Sequence, residues 1–315
     1  MAQQKLKRVF FYHLEARKEK TIKVVDQKMS DTYKLFKKHK SSEIATEEIA
    51  GENYYIYSMD KSYPDDNDNN KFAYEFSISK LSLNKPIAYG DMGEENLPDR
   101  NKNLDFEKLN LGENERPKGP IGPIINSTFI YDPNTHIIAF FRTPGGVTTI
   151  LLKRFLSYYC GVRGLVLAIV PDKDALSDID KLNNTSKLTY KIADVPNFKS
   201  LEKAEKDELV DIRDAHNFGA GGMEITISGS SLKLKKLKDR VKLLLKLGDE
   251  LNVKKLEIEG TNDEGILEPI DLIVHKLTFD GNIEYDNIIT DKNCFALLDN
   301  ALASNYDFLR KFENS

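Results

Sequence analysis

The sequence predicts an α+β protein of two units, with mixed or antiparallel sheets and helices packed on one face. Three observations predict it. The chain has 315 residues, about twice the ~150 residues usual for one domain. Hydrophobic residues make up 40% and charged residues 30%, enough for packed cores and too apolar for wholesale disorder. Segments with a period of two cluster in runs, and helical segments follow them rather than alternating strictly with them.

In the first unit, 1–184, residues 9–14 are apolar and read as a strand, with 21–25 as a partner across a charged turn. Ser30 or Asp31 can cap a helix to about residue 40, with Tyr33 and Phe36 on its core side. Residues 53–59 are aromatic and β-branched, and 60–70 hold Pro64 and a tract of Asp and Asn, a loop. In 71–80, Phe72, Tyr74, Phe76 and Ile78 alternate on one face, so 53–80 forms a hairpin with a polar tip. Residues 84–123 are rich in Pro, Gly, Asn and acids and read as a long surface excursion with little regular structure, a length that goes with a functional loop, a partner surface or partial disorder. Strands at 124–131 and 136–141 flank an Asp132-Pro133-Asn134 turn. Thr148 or Thr149 caps a helix to Tyr159, with Leu151, Leu152, Phe155 and Tyr159 facing the core. Residues 165–170 are a buried strand and 172–184 a short helix and loop.

The second unit, 185–315, opens on a strand at 188–195. A charged helix covers 198–216, a strand 223–228, and a helix 231–247 ending near Gly248. Strands follow at 253–259, 270–279 and 283–288. The closing helix, 291–312, carries Phe295, Leu298, Leu302, Tyr306 and Leu309 near i, i+3, i+4 and i+7. That is more apolar surface than one small sheet needs, so the helix is a candidate dimer surface as well as a core element.

The net charge is −4, but it is segregated. Residues 1–40 carry 12 basic and 4 acidic side chains, 41–120 carry 9 and 17, 232–256 carry 9 and 3, and 257–315 carry 4 and 13. A polyanion responds to the local field, not to the sum. The two cysteines, Cys160 and Cys294, both lie in apolar stretches and read as buried free thiols of a reducing compartment. The basic-then-apolar start at 5–14 is too short for a signal peptide. The longest apolar run, 165–170, is far from the ~20 residues of a bilayer span. The expectation is a cytoplasmic protein.

Catalytic patterns are not found. None of His13, His39, His136, His216 and His275 lies three or four residues from another or from a cysteine, so metal-ligand spacing is missing and no cofactor is expected. The run Gly219-Ala220-Gly221-Gly222 precedes a strand rather than a helix and reads as a tight turn, not a phosphate cradle. The carboxylates do not fall into a nuclease spacing.

The basic helix is the strongest feature. At 100° per residue, Leu234, Leu237, Val241, Leu244 and Leu245 share one face, Lys235, Lys242 and Lys246 stack on another beside Lys238, and Lys233, Lys236 and Arg240 cover the rest. Lys254 and Lys255 follow at the next strand. These nine residues are the candidate DNA contacts, facing phosphates without reading bases. Lys34, Lys37 and Lys38 of the basic first segment are the reserve candidates.

The stretch Phe140-Phe141-Arg142-Thr143-Pro144-Gly145-Gly146-Val147-Thr148-Thr149, followed by Leu152, Phe155 and Leu156, resembles the RexA exclusion proteins of the phage lambda type. Those share the pattern Phe-x-Arg-Thr, two residues, Gly-x-Thr-Thr, then Leu and Phe-Leu on a helix. The order of elements on either side is also similar. The DNA-binding soluble subunit of the Kiwa defence system is a second group with the same character. The resemblance implies sequence-nonspecific DNA binding, a homodimer, a membrane partner encoded nearby and a role in anti-phage defence, without enzymatic activity. The chain departs from that family after the basic helix, where Glu257, Glu259, Asp263 and Glu264 stand in place of basic residues. A metal-dependent nuclease and a phage-protein sensor or adaptor are the alternative functions.

Overall fold

The computed structural model describes residues 3–16, 19–64, 71–83, 88–89, 102–103, 122–182, 184–193, 209–248, 251–261 and 267–313. Most of the 84–123 excursion, the tract 65–70 and the first part of the charged helix expected at 198–216 lie outside them. The fold is α+β, with two main antiparallel sheets.

Strand β1 (Gln3–Ala16) pairs with three other strands of the first sheet. Along one edge it pairs with β8 (Ile137–Phe141). Along the other it pairs with β14 (Thr278–Tyr285) over residues 3–10 and with β9 (Leu165–Ile169) over 12–16. Beyond β8 the order continues through β7 (Ile124–Asp132), β4 (Ala73–Leu81), β3 (Glu52–Ser62) and β2 (Glu47–Ile49). A separate ladder joins β5 (Ala88–Tyr89) to β6 (Lys102–Asn103).

The period of two divides this sheet's side chains between two cores. Tyr12, Leu14, Phe129, Tyr131, Ile138 and Phe140 face α1 (Glu19–Lys37) and α2 (Thr149–Tyr159). Val9, Phe11, Ile130, Ile137, Ala139 and Phe141 face the long closing helix, Asp291–Glu313. The first sheet therefore has helices on both faces. On the closing helix, Phe295, Leu298, Leu302, Tyr306 and Leu309 are all buried against its own sheet. Its apolar face is thus consumed within the chain, and a dimer would have to use another surface.

Residues 21–25, expected as a strand, are the first turns of α1. Val25, Met29 and Thr32 are buried and Ile22 and Phe36 half-buried. This i, i+3, i+4 spacing gives a helix a continuous face, and that packing outweighs the β-branched composition. His136 adopts φ 51° and closes the β7–β8 turn, so β8 starts one residue later than expected.

After β9, α3 (Lys173–Asp180) leads to the second sheet, whose order is β11 (Met223–Ser228), β10 (Asn184–Ile192), β12 (Val253–Thr261) and β13 (Leu267–Asp271). One face carries α4 (Val210–Asn217) and α5 (Leu234–Lys246) over Leu188, Tyr190, Ile192, Leu256 and Ile258. The other is polar, with ion pairs Lys187–Glu259 (2.5 Å), Lys191–Glu224 (3.7 Å) and Lys255–Glu257 (3.0 Å).

The boundary expected at 184 marks where the second sheet starts, but it does not separate two consecutive units. The chain returns through a bridge between Pro171 and Lys276 to place β14 beside β1, and then runs into the closing helix, α6. The strand expected at 270–279 is accordingly split by a turn at 272–275 into the end of β13 and the start of β14.

Candidate nucleic-acid interface

Helix α5 is seated by its apolar stripe. Leu237, Val241, Leu244 and Leu245 are buried, and Leu234 and Leu243 half-buried, against β9, β10 and β12. Burying four such side chains stabilises the seat by about 6–12 kcal/mol, an upper figure because the unfolded chain is itself partly collapsed. With that stripe facing inward, the opposite side of the helix faces solvent. The helix starts without a side-chain cap at Lys233, and Lys246 sits in its last turn, where a cation complements the helix dipole.

The nine candidate residues do not form one surface. Lys233, Lys235, Lys236 and Lys242 are exposed on or next to the helix, and Lys254 is exposed at the start of β12. Lys238 is half-buried. Lys246 reaches across to β1, with Nζ 3.4 Å from Glu15 Oε2. Burial pushes the Glu15 carboxyl up, but hydrogen bonds from His13 and Lys246 and their charges outweigh this and hold it below its ordinary value. Lys255 points to the face of the second sheet opposite α5. Leu256 and Ile258 face the core, so Lys255 and Glu257 alternate to the other side, where they pair at 3.0 Å.

Arg240 has a different role from the one its charge suggested. Its Nη2 donates to Asp211 Oδ1 (2.8 Å) and Oδ2 (2.6 Å) and to the Tyr190 hydroxyl (2.7 Å), and the Tyr190 hydroxyl donates to Asp211. The Arg240 and Asp211 side chains are only 16% and 29% exposed. Arg240 thus fastens α5 to α4 and to β10.

The reserve candidates are largely neutralised by local carboxylates. Lys34 pairs with Asp31 and Lys37 with Asp60, both at 2.9 Å, while Lys38 is exposed. Part of the positive first segment therefore cancels against the acidic second one.

The motif at 140–149 is built into the fold. Phe140 and Phe141 are buried in opposite cores. Residues 143–146 form a turn closed by Gly146 N donating to Thr143 O at 2.9 Å. A Cβ at Gly146 would lie 2.3 Å from Ser127 Oγ, the atom that accepts from Val147 N, so this approach needs glycine. Thr148 caps α2 by accepting from Leu151 N. Arg142 is exposed and lies 5.6 Å from the centroid of the Phe10 ring, which also has Lys276 at 4.8 Å. The three residues come from distant parts of the chain, so local sequence pattern does not pair them.

One cleft of about 890 Å³ lies where α6 begins, lined by Tyr57, Ser58, Glu75, Asn126, Asp291 and Asp299 among others. Ser77 and Ser58 hydroxyls donate to Asp291 Oδ2 at 2.6 and 3.2 Å. Burial, then the hydrogen bond and negative charge of Asp299, push Glu75 up to about 8. The folded chain therefore holds a proton that the unfolded chain releases near the ordinary glutamate value. Stability accordingly falls as pH rises through the window between about 5 and 8 and then levels off. Glu75→Gln is expected to remove that slope, with a melting temperature matching the wild type near pH 5 and exceeding it at pH 9. Parallel curves over that range would refute the assignment.

Burial likewise pushes Cys160 up to about 12 and Cys294 up to about 11, so both thiols stay protonated at neutral pH. Among the described residues, no three His, Cys, Asp or Glu side chains converge as a metal site would need. None of the described helices is long and apolar enough to cross a membrane. No protein-family model matches the chain, and no curated protein is significantly similar to it.

Proposed function

We propose that this protein binds double-stranded DNA without sequence preference, as the DNA-binding member of an anti-phage, phage-exclusion system. In this reading it is a cytoplasmic homodimer that acts with a small membrane protein encoded nearby and is recruited to the inner face of the membrane. The observation that carries the reading is α5, a helix anchored by a leucine stripe that turns Lys235, Lys236 and Lys242 outward. Lysines on a rigid helix meet phosphates through charge and make no base-edge code, so binding is tolerant of sequence. The local resemblance of residues 140–156 to RexA exclusion proteins supports the same reading.

The decisive experiment is a gel shift with random duplex across a salt series. If the exposed Lys233, Lys235, Lys236, Lys242 and Lys254 neutralise about five phosphates, log K falls against log salt with a slope of about −4.5. Light scattering of the same sample is expected at about twice 35.9 kDa. A slope near zero would remove the DNA reading and favour the sensor or adaptor. Nicking of plasmid that requires Mg²⁺ and is lost on changing one carboxylate would favour the nuclease.

A further inference from the structure

Strand β3 presents a cation arrangement that DNA binding does not use. The Lys61 ammonium lies 3.3 Å from the centroid of the Phe72 ring, 4.9 Å from that of Tyr33 and 5.5 Å from that of Tyr74. Three aromatic faces thus surround one ammonium. The walls are held by the rest of the fold. Tyr74 is 2% exposed. Phe72 stands edge-on to Tyr74 at 5.1 Å, and its carbonyl accepts from Asn134 Nδ2 at 3.3 Å. Tyr33 lies 5.9 Å from Tyr74 on the face of α1 that packs inward.

The occupant is held less firmly than the walls. The nearby carboxylate, Asp60, is taken by Lys37 at 2.9 Å, and Lys61 has no ion pair among the described residues. Burial lowers the pKa of its ammonium. The rings therefore hold Lys61 against the loss of its hydration, and its flexible stem lets it swing out to solvent.

We propose that Tyr33, Phe72 and Tyr74 form a receptor for a methylated or quaternary ammonium group, with Lys61 as its built-in competitor. A primary ammonium is strongly hydrated and gives up several hydrogen bonds to water on entering an aromatic cage. A trimethylammonium has no N–H to desolvate, keeps its charge at every pH and sets methyl groups against each ring face. It therefore displaces Lys61, whereas an unmethylated lysine from a partner gains nothing by the exchange. Choline and Nε-trimethyllysine present the same group, and the site's chemistry accepts either source.

The test uses the full-length chain, with choline and free Nε-trimethyllysine as separate probes, followed by calorimetry and by shifts of the aromatic resonances. Removing the competitor in Lys61→Ala is expected to tighten binding about five- to tenfold over wild type. Phe72→Ala in that background is expected to abolish it, and unmethylated lysine is expected not to bind. The stronger of the two probes identifies the source. Lys61→Gln, neutral but long enough to cover Phe72, serves if the alanine variant melts early. The proposal is overturned if neither probe binds a folded Lys61 variant, or if binding survives loss of Phe72.

Discussion

Replacing Lys235, Lys236 and Lys242 together by glutamate is expected to abolish duplex binding while leaving the melting temperature within a few degrees of wild type. All three side chains are exposed on α5, and the helix is held through Leu237, Val241, Leu244 and Leu245 on its other side. Exposed substitutions away from such packing change stability by about 0.5 kcal/mol or less. Binding responds differently. Each lost phosphate contact removes released counterions, and each new carboxylate repels the backbone. Three reversals together weaken binding by about a thousandfold near physiological salt. Lys246 is left out of the set because it pairs with Glu15, so its loss mixes a structural effect with an electrostatic one. Retained binding in a folded triple variant would place the DNA contacts elsewhere, or nowhere.

The helices were the most legible part of this chain because amphipathic periodicity is local. The apolar stripes of α5 and α6 read directly from spacing and are buried as expected. The same rule describes 21–25 as helix, since Ile22 and Val25 continue into Met29 and Thr32. The strand period of two is equally local, and the alternation of Leu256 and Ile258 sends Lys255 to the far face of its sheet. Long-range pairing was not legible. Arg8 meets Asp280 at 2.7 Å across 272 positions, and nothing near either residue announces that β14 returns to the first sheet. Nor does composition reveal that the surplus apolar face of α6 closes on a core of its own chain.

The Arg240 assignment shows most sharply how charge alone misleads. In the sequence it is one more cation on a basic helix. In the fold it is the donor that satisfies Asp211 and the Tyr190 hydroxyl, with little exposure of its own. Arg240→Met is expected to destabilise the protein by about 2–4 kcal/mol, because it leaves the Asp211 carboxylate half-buried without its partner. Lysine is expected to restore only part of the loss, since it lacks the guanidinium plane whose centre lies 5.1 Å from the Tyr190 ring centroid. The informative variant is the double replacement Arg240→Met with Asp211→Asn. It removes the stranded charge along with its counter-ion, so it should recover a large part of the loss even though two interactions are now missing. Thermal melting of the four proteins measures this coupling directly. At the same time, folded Arg240→Met is expected to keep the salt slope of wild-type DNA binding. Additive losses in the melting cycle, or a slope reduced by about one in a variant that melts normally, would return Arg240 to the phosphate surface.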